Sequence, residues 1–313
     1  MIWSISTYKE FQWCQRKWFL NKKVASRSPK DSYRRKVYLL SKLENIAAWR
    51  GKIVDYTISE CVIPKLNNGS EIKSSEVYDF AKKVSRARYE FAKKNKFKER
   101  DLKKSDHEYD YSAIYDFEYT NSTDDLTNKF TNAWNEIYIA LTNFLNNATL
   151  INKLNSANYL IKQRNLTFTF HDTTIKAVPD LIAFYENGPP HIFDWKVHYF
   201  GTKTYSEQLM LYAIALKSCN PHRDFQTDLT SYSIQDISLT EYQLLKNLIR
   251  NYNITEYHIE AINDFLANGL QMMKRKGFDE KYENLNIEDF EKTQNLDACI
   301  TCQFKKICRE NEL

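Results

Sequence analysis

Apolar residues follow two different periods along this chain. In the first half they recur every three to four residues, the spacing of helices that bury one stripe. That spacing predicts helices over 3–20, Val37–Cys61, Ser75–Lys98 and Asn128–Leu154, the first entered through Ser4, Ser6 or Thr7 as N-cap. Val77, Phe80, Ala81, Val84, Ala87 and Phe91 form the stripe of the third, and Trp134, Ile137, Tyr138, Leu141 and Leu145 that of the fourth. Asn67–Ser70 reads as a turn, and the polar, tyrosine-rich stretch Glu99–Asp125 as irregular. From about residue 165 the period shortens to two, which predicts strands over Asn165–Phe170, Thr174–Tyr185 and His191–Val197, with a turn at Glu186–Pro190. Helical spacing returns over Ser206–Ser218, a further strand is expected at Leu229–Ile237, and after Thr240 the chain reads as helical to about Lys276. Strands around one helix, set between helical segments, make an α/β pattern with a helical insertion.

Composition narrows this picture. The 313 residues hold only 6 glycines and 6 prolines, about a third of the usual glycine content, which argues against a turn-rich all-β sandwich. A net charge of +5, from 45 basic against 40 acidic residues, permits nucleic-acid binding without demanding it. The aromatic and basic N-terminus does not read as a signal peptide, and no stretch approaches the roughly 18 apolar residues of a membrane span. The expectation is a soluble, cytoplasmic protein that makes no membrane contact. Its six cysteines are Cys14, Cys61, Cys219, Cys299, Cys302 and Cys308. In a chain not destined for export, the tight Cys299-x-x-Cys302 pair followed by Cys308 points to metal rather than to disulfides.

Candidate chemistry concentrates between residues 179 and 212. A strand period of two puts Asp194 and Lys196 on one face of His191–Val197 and turns Trp195 away. Asp180 follows Pro179 in the preceding strand, so a hairpin would set its carboxylate beside Asp194. Paired carboxylates are hard oxygen donors that select Mg²⁺ or Mn²⁺, and an adjacent ammonium would steady an attacking water or a developing negative charge. An Asp-x-Lys on a strand is common, and an aspartate after proline also suits a turn. The next helix adds Gln208 and Tyr212, four apart on one face.

Taken together, VPDLIAF (178–184), FDWKV (193–197) and EQLMLYA (207–213) resemble successive motifs of the PD-(D/E)XK nucleases of the RecB type. The resemblance implies that Asp180 and Asp194 bind Mg²⁺ or Mn²⁺, that the Trp195 carbonyl is a further ligand, and that Lys196 serves catalysis. Gln208 and Tyr212 would brace the site and touch DNA. An upstream helix in that family carries a ligating histidine in a G-x-x-V-H pattern. Gly51-Lys52-Ile53-Val54-Asp55 resembles it with Asp55 in the histidine's place, and a carboxylate ligates these cations as well as imidazole does. After the lysine, Val197-His198 stands where Thr-Gly is frequent.

The tail spacing C-x2-C-x5-C is one thiolate short of the four that a zinc site or a cubane cluster needs. The opening STYKEFQWCQRKWFL is similar to the start of the iron–sulfur branch of the family, which includes AddB-type and CRISPR-associated RecB-type nucleases, although Gln15 replaces the usual proline. That resemblance implies that Cys14 joins Cys299, Cys302 and Cys308 around a [4Fe-4S] cluster, with structural Zn²⁺ as the alternative. The fold it implies is a restriction-endonuclease-like core, a mixed central sheet flanked by helices, with a helical insertion and an iron–sulfur clasp joining the two termini. Expected units are 1–60 (N-terminal helical part with the first cluster cysteine), 61–160 (helical insertion), 161–295 (nuclease core) and 296–313 (cysteine clasp).

The basic helix 75–98 and the patch Lys274–Lys276 are candidate phosphate tracks, and the 21 tyrosines and 18 phenylalanines include candidate stacking platforms. No G-x4-G-K-[ST] loop is present, so any unwinding would fall to a separate helicase or another repair or defence protein. The functional expectation is a Mg²⁺/Mn²⁺-dependent nuclease acting on single-stranded DNA or duplex ends in repair or antiviral defence. A non-catalytic iron–sulfur DNA-binding adaptor on the same scaffold is the alternative, and RNA remains open as substrate.

Overall fold

A computed structural model describes residues 2–28, 30–119, 123–199, 204–225 and 229–309. Among these residues eight strands form two sheets. The larger is mixed, with β2 (Tyr159–Lys162), β5 (Leu181–Tyr185), β6 (Gly188–Lys196), β7 (Ser238–Gln243) and β8 (Leu248–Tyr252) in the order β2-β5-β6-β7-β8. Within this sheet only β6 and β7 run parallel, with Asp194 opposite Glu241; the crossover between them carries α10 (Thr204–Ser218). The smaller sheet has the order β1-β4-β3, from β1 (Ile2–Trp3), β4 (Thr173–Ala177) and β3 (Leu166–Phe170). It is a mixed α/β architecture consistent with a restriction-endonuclease-like fold.

Helices cover the large sheet on both faces. On one face lie α4 (Ile46–Thr57), α5 (Ile63–Asn67), α6 (Ser74–Lys93), α8 (Thr123–Asn146) and α9 (Ala148–Asn155), whose apolar stripes meet Leu181, Phe193, Trp195 and Tyr242 in one core. The 61–160 helices are therefore a packed layer of this core. Phe144 of α8 meets Trp195 edge to face, and Asn143 donates to the Leu244 carbonyl at 2.7 Å. The other face is covered by α10, by α11 (Glu256–Arg275), and by α1 (Ile5–Trp13) and α2 (Gln15–Phe19) with the π-helical turn Leu20–Val24. Gly269 of α11 lets α1 approach: a Cβ there would stand 3.1 Å from the Tyr8 ring.

The two ends of the described chain meet in this second layer. Phe19 stacks on Phe290 at 4.3 Å, and Trp18 lies against Phe278 and Phe290. Arg16, 6 % exposed, donates to the Phe290 carbonyl at 2.9 Å, and Lys23 donates to the carbonyls of Phe278 and Glu280. Further helices are α3 (Ser32–Ser41), α7 (Tyr115–Tyr119), α12 (Leu296–Ile300) and α13 (Lys305–Arg309).

Several elements depart from the sequence expectation. The helix expected over 3–20 breaks at Cys14, whose extended backbone (φ −164) caps α2 as its Sγ accepts from Lys17 N–H at 3.4 Å. Those over Val37–Cys61 and Asn128–Leu154 break where Asn45 and Asn147 cap a following helix, accepting from Ala48 and Leu150 N–H at 2.8 and 3.0 Å. The expected strand Thr174–Tyr185 is two strands in different sheets, because Pro179 between them has no N–H to continue a ladder. Leu229–Ile237 is not a strand. Its Ser233 N–H and hydroxyl both bond Asp236 at 2.7 Å, which favours 3-10 turns. The chain after Thr240 is likewise not helical until Glu256: β7 and β8 intervene, because burial of Leu239–Gln243 between β6 and β8 overrides the helical spacing. Within Glu99–Asp125, α7 and a 3-10 turn at Lys104–His107 form. No helix of the described residues is long and apolar enough to cross a membrane.

Candidate active site

Asp180 is the last residue before β5, and β5 runs antiparallel to β6 with Leu181 opposite Phe193. That register lets the Trp195 backbone N–H donate to Asp180 Oδ2 at 2.7 Å. Asp194, 1 % exposed, forms an ion pair with Lys196 two positions on, the same-face relation of a strand. The Trp195 side chain turns to the opposite face and packs in the core beneath α8. Asp55 reaches the same edge from α4. Buried Arg50 holds that helix in place, bonding the Val197 carbonyl beyond β6 and Glu136 of α8.

The electrostatics place these groups within reach of one another. Burial raises the Asp180 pKa well above the ordinary range, and the Asp194 and Asp55 carboxylates raise it further. Burial also raises Asp194, with Lys196 pulling it back. Burial works against the Lys196 ammonium, but Asp194 and Asp180 outweigh it, so its pKa is raised and it stays charged. Burial, then Asp194, push Asp55 up to about 6. Three carboxylates around one ammonium leave an excess of negative charge that a divalent cation would balance.

Asp55 is held by a hydrogen bond from Gln163 Nε2 to its Oδ2, while its Oδ1 is buried with no hydrogen-bond partner among the described residues. Gln163 itself has a positive φ of 45, a conformation disfavoured for side chains other than glycine, and its N–H bonds the Asp180 carbonyl at 3.0 Å. An orphaned carboxylate oxygen beside two further buried carboxylates suits a cation. In this arrangement, however, no three or more His, Cys, Asp or Glu side chains among the described residues are grouped as a formed metal site. Asp194 is turned to Lys196 and Asp180 to the Trp195 N–H.

A consequence for stability follows. With its folded pKa raised, ionised Asp55 costs stability above about pH 6, and the cost fades as pH falls toward the ordinary 3.8. In EDTA at pH 8, Asp55→Asn should therefore melt several degrees above the parent, and the gap should close near pH 4. Thermal melts at the two pH values check this; an equal or lower melting temperature at pH 8 would count against it.

α10 lies across the site. Gln208 Nε2 donates to the Tyr212 hydroxyl, and burial, followed by Asp194 and Asp180, raises the Tyr212 pKa well above the ordinary value. Sequence reasoning missed several neighbours. Lys9 of α1 lies close enough to feel Glu207, Lys196 and Asp194, though burial is the main reason its pKa falls. Tyr205 bonds His198 Nε2 at 2.7 Å, and its ring carries the Lys196 ammonium at 4.7 Å. Glu241, fully buried opposite Asp194, is held by Gln243, Arg250 and Tyr252. Lys9 and Glu241 carry no local signal because each comes from an element remote in sequence, whereas Tyr205 and His198 flank the motif residues but fall outside the strand and helix periods that single those out.

Cys14, Cys299, Cys302 and Cys308 all line one cavity of about 160 Å³, between α2 and the segment 292–308. All four are free thiols; burial raises Cys302 and Cys308, the Phe304 backbone and Lys17 pull the first back and Lys292 and Arg16 the second, and the neighbouring thiols add smaller upward contributions. Cys61 and Cys219 lie elsewhere in the apolar cores. Of the expected phosphate tracks, α6 turns Lys82 and Arg86 to solvent beside Trp49, Phe130 and Trp134, whereas Arg88 is buried against Tyr56.

Comparison with known families matches the chain to the PD-(D/E)XK nuclease superfamily over residues 2–309. No curated protein matches the chain.

Proposed function

The chain belongs to the PD-(D/E)XK nuclease superfamily, and from that premise we propose that it hydrolyses DNA phosphodiester bonds with Mg²⁺ or Mn²⁺ at the edge of β5 and β6. The observation that carries this reading is the meeting of Asp180, Asp194 and Asp55 around Lys196: burial raises all three carboxylates, the charges of Asp194 and Asp55 raise Asp180 further, and that of Asp194 raises Asp55. Asp180 and Asp194 would hold the cation, with Asp55 and the Trp195 carbonyl as further ligands. A bound divalent cation supplies Lewis acidity and acidifies its water.

The chain's own groups do the rest. Lys196 stays protonated and sets its ammonium against charge that develops on the phosphate. Tyr212 keeps its proton, so its hydroxyl serves as a donor and not a base. Its hydrogen bond from Gln208 fixes both side chains over the carboxylates. The fully buried Glu241 lies behind Asp194 and adds to its reluctance to ionise.

We infer that the chain falls in the RecB-type iron–sulfur branch; the cavity that Cys14, Cys299, Cys302 and Cys308 share supports this reading. Four thiols are the donor set of a [4Fe-4S] cluster, with structural Zn²⁺ as the competing occupant, although among the described residues they are not drawn together as a formed metal site. Work on single strands or DNA ends in repair or defence, beside a separate helicase, is the corresponding role.

The test is cleavage of single-stranded DNA, duplex DNA and RNA in EDTA and across a Mg²⁺ and Mn²⁺ titration. Metal-dependent DNA cleavage is expected, and RNA cleavage alone would reassign the substrate. The rival reading, a non-catalytic DNA-binding adaptor, draws on the Asp194–Lys196 pair, which already engages the carboxylate a cation would need. It requires DNA binding without cleavage under every metal condition.

A further inference from the structure

Away from the carboxylates, cations collect along the seam between α3 and the segment 96–107. Two adjoining cavities of about 430 and 410 Å³ share Arg35 and Arg100, and the second is also lined by Arg27. The Arg27 guanidinium donates to the Leu102 carbonyl at 2.7 Å, and that of Arg35 to the carbonyls of Arg27 and Lys98 at 3.1 and 3.3 Å. These acceptors are backbone, so the bonds fix both side chains without neutralising them. Farther along, Lys42 stands over the Tyr38 ring at 4.4 Å and Lys104 over Tyr111 at 5.3 Å. Burial lowers the pKa of Lys42, and Lys104, Lys22 and Lys52 lower it further, which shows how closely these ammoniums crowd. Lys52 lies one helical turn before Asp55 on α4. Carboxylates also stand along this line: Asp101 at the arginine cavity, Glu118 on Lys98, Glu44 on Lys52, Glu44 and Glu108 near Lys104, and Glu99 and Asp106 on the segment itself.

Crowded like charges are unfavourable unless a polyanion offsets them, and arginines and lysines interleaved with tyrosines match an unpaired strand, whose phosphates meet cations while bases meet rings. We propose that the seam from Arg27, Arg35 and Arg100 through Lys42 and Lys104 to Lys52 binds single-stranded DNA and leads it to the Asp55 edge of the active site. The identity of the polyanion rests on the nuclease reading; the seam itself does not.

The test is fluorescence anisotropy of a labelled thymidine oligonucleotide in EDTA, where nothing is cleaved, across a salt series. Arg100→Gln with Lys104→Gln, both exposed residues, should weaken binding roughly tenfold near 0.1 M salt and reduce the log–log salt slope by about 1.4, since each single-strand phosphate contact contributes about 0.7. Lys42→Gln with Lys52→Gln should do the same, and a melting temperature for each variant separates lost binding from lost fold. Lys82→Gln with Arg86→Gln on α6 should bind like the parent. Three results overturn the proposal: no binding by the parent, equal losses from the α6 and seam variants, or tighter binding of a blunt duplex than of the single strand. A protein that binds through the seam yet never cleaves refutes only the nuclease reading, whereas one that cleaves while its binding ignores the seam refutes only this inference.

Discussion

Asp194→Asn should reduce metal-dependent DNA cleavage by about 10³-fold or more, and Lys196→Ala by a similar factor. The asparagine keeps the shape of the carboxylate and removes its charge, which takes away a hard donor for the cation and the counter-charge that holds the Lys196 ammonium. Loss of fold would not explain the effect. Asp194 is buried and its pKa is raised by that burial, so its ionised form costs folding energy, and the asparagine variant should melt no lower than the parent in EDTA. Lys196→Ala acts differently: it leaves the carboxylates without their nearest cation, and metal should then bind at least as tightly while turnover falls. Cleavage and metal affinity measured side by side distinguish the two roles. Parental cleavage by both variants would remove this pair from the chemistry.

Cys302→Ser or Cys308→Ser should abolish the iron and sulfide content of anaerobically purified protein, together with its visible absorbance. Zinc in place of iron would reassign the site without dissolving it, and neither metal in the parent would end the clasp reading. The accompanying loss of stability should be local. Sequence alone suggests that such a clasp closes a loop of nearly the whole chain, whose release would loosen everything. Yet Trp18, Phe19, Phe278, Phe290 and the buried Arg16 already join the two ends through apolar contact and hydrogen bonds. The stretch beyond about residue 291 has fewer such ties: Leu296 and Ile300 are exposed, and its anchors besides the cysteines are the buried Phe304 and the bonds from Tyr115 and Tyr119 to the Ile300 and Gln303 carbonyls. Limited proteolysis should cut that stretch at least ten times faster in the variants, while the melting temperature falls by only a few degrees.

How much was legible follows from where each residue lies in the chain. Asp180, Asp194, Lys196, Gln208 and Tyr212 fall within about thirty residues on regular elements, so strand and helix periods alone bring them to one edge. Asp55 comes from a helix more than a hundred residues upstream, and only a resemblance singled it out. Glu241 stayed hidden because its strand reads as helix. LTEYQLLKNLI (239–249) carries apolar residues at helical spacing, and what makes it a strand is its place between β6 and β8, which no local window contains. Gln163 was missed for a related reason: β2 is four residues long and does not alternate. The helices were legible in kind but not in extent, since Cys14, Asn45 and Asn147 interrupt them with capping hydrogen bonds that cost the apolar pattern nothing.

Pro179 separates β4 from β5, so the chain leaves one sheet for the other immediately before Asp180. The aim of that carboxylate is thereby set by the angle between two sheets as much as by either one. A lesion on the solvent-facing side of the β3–β4 hairpin, sparing Leu166 and Ile175 that pack against α10, would tilt this joint. It would reach the observer as an enzyme that is fully folded and quietly misaligned.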